Sequence, residues 1–318
     1  MKMTGMMGLL KDTFKDFSDD ECPVRAAALS YYIVFSLPPL LILILLIASA
    51  VFDPAEVQRA LATQMGGFMG PEGAQEIGNI MQEAERPGGK GLKAVLGIAA
   101  IVFGATGSFL QLQSALNRAW EVEPDPKQGG IKNMITKRIL SLGMILGVAF
   151  LLLVSLALSA ALSAVGGMIG RLIPGGSEVV AHIINFVLSF VVITGLFAAI
   201  YKVLPDARIS WNDVRVGAVV TALLFTIGKF LLGLYLGRSN PGEAFGAAGS
   251  LALLLVWIYY SSMIVLFGAE FTQAWAIRNG AGIVPKEGAR RMNDEIGDPT
   301  KSPLPAPQPL PGNRGKKK

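Results

Sequence analysis

The sequence predicts an all-α polytopic membrane protein with six transmembrane helices and both termini in the cytoplasm, and three observations lead there. Six apolar stretches divide the chain, at 26–52, 94–110, 139–166, 179–201, 216–236 and 249–275. Each meets the roughly 17 to 25 helical residues that a hydrocarbon core of about 30 Å requires. The Lys and Arg residues between these stretches fall mainly into alternate gaps. Twenty-one lie before residue 26, in 111–138, in 202–215 and after residue 275, against six in the other gaps, with Lys229 left inside a span. Basic residues in short loops stay on the cytoplasmic side, which sets both ends of the chain there. Finally, 52% of the residues are apolar and only 16% charged, against about a quarter charged in soluble domains.

Taken in order, residues 1–25 form a cytoplasmic segment whose Leu9, Leu10, Phe14 and Phe17 recur at helical spacing beside Lys11, Asp12, Lys15 and Asp16. Such a helix is expected to lie on the inner membrane face. The first apolar run is too long for a signal-peptide core and holds Pro38 and Pro39 near its middle, so it reads as a retained span with a helix break at the proline pair. The six-helix domain covers 26–275, with an external loop at 53–93. Within that loop two short helices are expected, at 55–64 and 74–85, separated by Gly66-Gly67, Gly70-Pro71 and Pro87-Gly88-Gly89. Gly143 and Gly147 in the third span, and Gly97, Gly104 and Gly107 in the second, are spaced for close helix contact in lipid. Residues 276–318 turn polar, then Pro-rich, and end in three lysines; that composition predicts a disordered basic cytoplasmic tail.

A net charge of +5 does not indicate nucleic acid, because the basic residues sit where membrane orientation puts them and no RNA-binding aromatic motif accompanies them. One histidine, His182, and one cysteine, Cys22, are present. That inventory excludes an intrachain disulfide and a His-rich metal centre, so neither a metal nor another cofactor is expected. No Gly-rich segment ends in Gly-Lys-Ser/Thr, which excludes a Walker phosphate loop.

Charges inside a span cost roughly 2.5 to 3.5 kcal/mol on insertion scales, which singles out Lys229 and Glu270. On a helical wheel Ala218, Ala222, Thr226 and Gly233 fall within about 60° of Lys229, so its side is expected to face other helices. Snorkelling to the outer surface is the alternative. By helical rise Lys229 stands about 20 Å above the inner end of its span and Glu270 only about 7 Å above Trp275, too far apart in depth for a direct pair. The expected partners are Tyr259 and Tyr260 for Lys229, and Ser30, Tyr31 and Tyr32 for Glu270, with Arg25 just below. Neither residue has a second group at its own depth with which to perform acid–base catalysis, so no enzyme is expected.

Particular residues then become informative beyond hydropathy. The first span carries Ser30-Tyr31-Tyr32 and Pro38-Pro39. The second carries Gly104, Gly107, Asn117 and Trp120, the fourth Tyr201 and Pro205, and the last Gly246, Gly249, Trp257, Gly268 and Glu270. In order and interval, over residues 25–272, this set resembles the YihY/virulence factor BrkB family. The resemblance implies a six-span protein of the bacterial cytoplasmic (inner) membrane. It also implies a family-motif structural role for Gly107, Asn117, Trp120, Pro205, Gly246, Gly249 and Gly268. Where the family has Tyr-Gly-Ala before the last span, this chain has Phe245-Gly246-Ala247. A ribonuclease label carried by some members conflicts with one His, one Cys and no acidic metal cluster.

The leading functional expectation is a non-enzymatic envelope protein that handles or transports a membrane lipid or other amphipathic solute. Its warrant is the polar content of the spans, Lys229, Tyr259, Tyr260, Thr106, Ser108, Asn185 and Glu270, with the central proline pair. The alternative is a scaffold or assembly factor with envelope protein partners or a second copy of itself, for which the external loop and the amphipathic amino-terminal segment supply surface.

Overall fold

The computed structural model describes residues 3–48, 53, 55–59, 61–62, 92–125, 136, 139, 142–143, 147, 177–238, 249–279 and 282–292. Among the described residues six long helices dominate: α1 Met3–Asp19, α2 Cys22–Ala48, α3 Leu92–Ala119, α4 Ser177–Val203, α5 Trp211–Arg238 and α6 Gly249–Asn279. Three of them contain stretches long and apolar enough to cross a membrane, Cys22–Ile44, Trp211–Leu232 and Leu251–Asn279. The second and fourth apolar stretches fall on α3 and α4, of 28 and 27 residues. The third stretch lies outside the described residues except at 139, 142, 143 and 147, which are helical.

The chain is mostly helical but not all-α. Val122–Pro124 (β1) pairs antiparallel with Ala289–Arg291 (β4), and Ala207–Arg208 (β2) with Val284–Pro285 (β3). These two-stranded clasps draw residues 282–292 onto the ends of α3 and α4, with Arg290 paired to Glu123 at 2.7 Å. The expectation of disorder from residue 276 therefore fails for its first part: α6 runs to Asn279 and the next stretch is strand. Backbone hydrogen bonds to two connectors order a segment whose own side chains bury little. Residues 293–318 lie outside the described residues.

Pro38 and Pro39 sit inside an unbroken α2, against the expected helix break. The backbone donors lost there are two, and α3 packs closely against Pro39. A Cβ built on Gly104 would stand 2.8 Å from Pro39 Cγ. Gly104 is thus the glycine that its neighbours require. Gly107, Gly143 and Gly147 have nothing within 4 Å of where a Cβ would be, so the packing expected of them is not made by the described residues.

Of the two helices expected in the external loop, the first is present at 55–59 and 61–62, opened by the Asp53 carboxylate accepting from Ala55 N–H at 2.9 Å. Val57 and Leu61 fold back against Leu37, Leu41, Leu254 and Ile258. The second, at 74–85, lies outside the described residues.

Candidate functional site

The interior of the bundle is built where α4, α5 and α6 meet. α5 carries Gly217 and Thr221, and α6 carries Gly268 and Thr272, so the same Gly-x-x-x-Thr pattern occurs once on each of two antiparallel helices. The glycine of each receives the threonine of the other: a Cβ on Gly217 would overlap Thr272, and one on Gly268 would overlap Thr221. Each threonine turns its hydroxyl back to its own helix, Thr221 to Gly217 O at 2.7 Å and Thr272 to Gly268 O at 2.6 Å. Both threonine hydroxyls of the seam are thereby satisfied. From α4, Tyr201 donates to Val265 O at 2.7 Å and stands 3.0 Å from Thr221 Oγ1, joining all three helices.

Glu270 lies between Gly268 and Thr272 in sequence and so on the opposite side of α6, which α1 and α2 cover. It is fully buried, and Cys22 at the start of α2 donates its thiol to Oε1 at 3.3 Å. Oε2 has no hydrogen-bond partner among the described residues. Asp20 and Asp16 of α1 and Glu121 just past α3 are near enough to act on it electrostatically, without clustering round it as metal ligands. Asp20 is held by Arg118 at 2.9 Å, and Arg25 donates to Asp20 O. The partners expected from depth are not the ones found. Ser30 is buried but donates to Ala26 O in its own helix, while Tyr31 and Tyr32 point outward and pack on each other and on Phe35. The partner found, Cys22, sits about two turns nearer the start of α2 than Ser30.

That turn exists because α1 does more than rest at a surface. Its inner face docks along α6: Leu9 is buried against Phe271 and Ala274, Phe14 and Phe17 pack on Phe267, and Arg278 pairs with Asp12 and donates to Gly5 O. Asp16 is held above the usual carboxylate range, by burial first and then by Asp12, Asp20 and Glu121, with Lys15 opposing. Because the folded state raises this group, it favours docking at pH below its unfolded value and loses that contribution as pH rises past its folded value. Replacing Asp16 by asparagine is expected to raise the melting temperature at pH 8 and to change it little at pH 4. A Tm measured at the two pH values checks this.

A second polar node gathers the other motif residues. Asn117 of α3 donates to Asp206 Oδ2 at 2.9 Å and accepts from Asp206 N–H at 2.7 Å, while Gln113 donates to Oδ1 at 3.1 Å. Pro205 follows the end of α4, and its carbonyl accepts from Lys286 Nζ at 2.6 Å, as does Val203 O at 3.1 Å. An ammonium group on the last carbonyls of a helix suits the negative end of its dipole. Burial holds Lys286 below its usual value, with Lys202 and Arg208 adding to the effect and Asp206 opposing it. Trp120 is buried edge-on to Tyr201, 6.1 Å between centroids. Asn117→Ala leaves an N–H and a carboxylate oxygen of Asp206 without these partners, and is expected to cost about 2 to 3 kcal/mol, read as a lower denaturation midpoint.

Lys229 is exposed on α5, not turned inward. Its neighbour Gly228 is the buried position, where the Tyr260 hydroxyl lies 2.5 Å from the place of a Cβ. Tyr259 and Tyr260 are half-buried. Gly249 begins α6, and Gly246 and the side chain of Asn185 lie outside the described residues. Thr106 and Ser108 are buried and bond within α3. Sequence reasoning missed Cys22, Asp206, Gln113 and the Gly–Thr seam. Only the last carried a local signal, the repeated Gly-x-x-x-Thr.

Among the described residues no three His, Cys, Asp or Glu side chains are grouped to hold a metal ion. What the residues do form, a motif-rich helical bundle with a carboxyl at its inner seam, is matched by the family model for virulence factor BrkB over residues 13–293. The chain belongs to this family. A UPF0761 membrane protein of Azotobacter vinelandii is 28% identical over 261 residues, covering 81% of this chain and 60% of that protein. One from Psychrobacter sp. is 26% identical over 275 residues, 85% of this chain and 49% of its own length. One from Albidiferax ferrireducens is 29% identical over 260 residues, 80% and 58%. The chain thus spans about half to three fifths of the length of these BrkB-family relatives. No solved structure matches it.

Proposed function

We propose that the protein moves or handles a lipid or other amphipathic solute across the bacterial inner membrane, without chemistry on the solute. The observation that carries this reading is Glu270, fully buried in a membrane-length helix with one carboxyl oxygen unpartnered among the described residues. A carboxyl in that position works against stability, and ionisable groups within spans line the paths of ions and substrates.

The reading includes six crossings with both ends cytoplasmic. In its support, the ends of α3, α4 and α6 and the start of α5 are tied together by β1·β4 and β2·β3. α3 and α4 both finish at this end, and each is about 40 Å long; the reading takes the apolar stretch at 139–166 as the crossing between them. Three of the four segments that carry the basic excess, 111–138, 202–215 and the stretch after residue 275, therefore meet at one end, the end that the positive-inside rule assigns to the cytoplasm.

The test is reconstitution in vesicles with a fluorescent phospholipid analogue, following its exchange between leaflets. Exchange above protein-free vesicles is expected; exchange no faster than in protein-free vesicles contradicts the reading. A scaffold is the second reading, favoured by the face Ile139, Gly143 and Gly147, which is exposed with open space at both glycines. Crosslinking through that face to a stoichiometric envelope protein, or to a second copy, supports it.

A further inference from the structure

We propose that Glu270 Oε2 is a ligand in a binding site for a small monovalent cation, a proton or an alkali ion, at the clasp end of the bundle. Three kinds of observation converge there. The first is the carboxyl itself: Glu270 is fully buried, Oε1 is taken by the Cys22 thiol, and Oε2 faces no donor among the described residues. A buried acceptor without a donor is satisfied by a proton or by a cation.

The second is the charge around it. Asp20 and Asp16 of α1 and Glu121 after α3 act on Glu270 electrostatically. Arg118 from α3 pairs with the Asp20 carboxylate and Arg25 from α2 donates to the Asp20 backbone carbonyl, while Lys15 lies near Asp16. Four carboxyl groups thus stand against three cationic groups. The third is backbone. α1 and α3 both finish at this point, each followed by a glutamate in the left-handed conformation, Glu21 and Glu121, both at φ 52°. Both C-termini turn the negative ends of their dipoles here, against the positive start of α2 at Cys22, and carbonyls such as Ser18 O and Arg118 O, each accepting one backbone hydrogen bond from Glu21 and Glu121, keep a second lone pair.

The kind of cation follows from what is missing and from space. No three acidic, His or Cys side chains among the described residues are grouped as metal ligands, which disfavours a divalent ion with its carboxylate cage. The buried oxygen leaves no opening for an organic ammonium headgroup. A cation that needs one carboxylate and a few carbonyls, or a single proton, fits. Binding stands on the geometry above; its use as the coupling ion for solute movement rests on the transport reading.

The experiment is thermal unfolding of the purified full chain in detergent, which involves no flux and so separates the site from that reading. Melting is compared in sodium, potassium and choline chloride at equal ionic strength and fixed pH. A pH series is run in an Asp16→Asn background, so that Asp16 does not contribute. An alkali site raises Tm in sodium or potassium above choline, and Glu270→Gln abolishes the difference. A proton site gives equal Tm in the three salts and a Tm that rises as pH falls, again lost in Glu270→Gln. Equal Tm across salts with a flat pH series overturns the proposal, as does a response that survives Glu270→Gln. Should Glu270→Gln fail to fold, Glu121→Gln decides: the response must shrink in it, and an unchanged response overturns the proposal.

Discussion

Replacing Gly268 by valine is expected to abolish the folded protein. Even the first carbon of the new side chain would occupy the space of Thr221 and lie 2.5 Å from the Tyr201 hydroxyl. Neither neighbour has room to yield: both are fully buried, and Tyr201 is tied to α6 through Val265 O. Overfilling a packed site costs typically about 1 to 3 kcal/mol, and here the α4–α5–α6 hydrogen bonds are lost as well, for a total of more than about 3 kcal/mol. Gly217→Val should do the same from the other side of the seam, by collision with Thr272. Gly107→Ala is the control, since nothing stands within 4 Å of its new atom, and its Tm should match wild type. Because the clash is pairwise, Thr221→Ala should restore part of the stability lost in Gly268→Ala, a coupling that a double-mutant cycle measures.

The second large effect is the opposite in kind. Glu270→Leu is expected to fold at least as well as wild type, because it removes a buried oxygen without a donor and keeps a side chain of similar size. Leaving such a group unsatisfied costs about 1 to 3 kcal/mol, and the Cys22 thiol that loses its acceptor is a weak donor that tolerates apolar surroundings. Retaining the carboxyl at that cost is the mark of a working residue. Leaflet exchange by Glu270→Leu should therefore fall about tenfold or more, while Glu270→Asp, which keeps the carboxyl but shortens the reach, should retain a measurable fraction. Such a split between stability and activity is what a functional carboxyl in a span produces.

How much of this was legible in the sequence divides along physical lines. Hydropathy locates long apolar helices because the bilayer demands both length and composition, and the helices at 22–48, 211–238 and 249–279 follow. It carries no information on which face of a helix meets which neighbour. The small residues near Lys229 do pack inward at Ala218 and Ala222, both fully buried, but the seam then follows Gly217, Thr221 and Gly228 and leaves Lys229 outside. A one-residue offset on a helix is about 100°, enough to exchange an interior position for an exposed one.

The partner of Glu270 was out of reach for a different reason. Cys22 is 248 residues away in the chain, and it lies eight residues, about 12 Å of helical rise, below Ser30 in α2, so a depth count along single helices pointed to the wrong level. Only the docking of α1 along α6, set by Leu9, Phe17 and the Asp12–Arg278 pair, brings the start of α2 to that point. The strands were illegible because β2 and β3 have two residues each and β1 and β4 three, too short for any alternation to register. The motif residues Asn117 and Pro205, by contrast, could be picked out one by one, yet their meaning lay in Asp206, which joins them.

One measurement bears most directly on the central claim that Glu270 serves movement of a solute and not stability. Wild type and Glu270→Leu, reconstituted at equal density in vesicles, are compared for leaflet exchange of a labelled phospholipid, with melting temperatures taken on the same preparations. The account predicts a variant that melts at or above wild type and exchanges lipid no faster than protein-free vesicles. A variant that melts normally and exchanges lipid at the wild-type rate would contradict it.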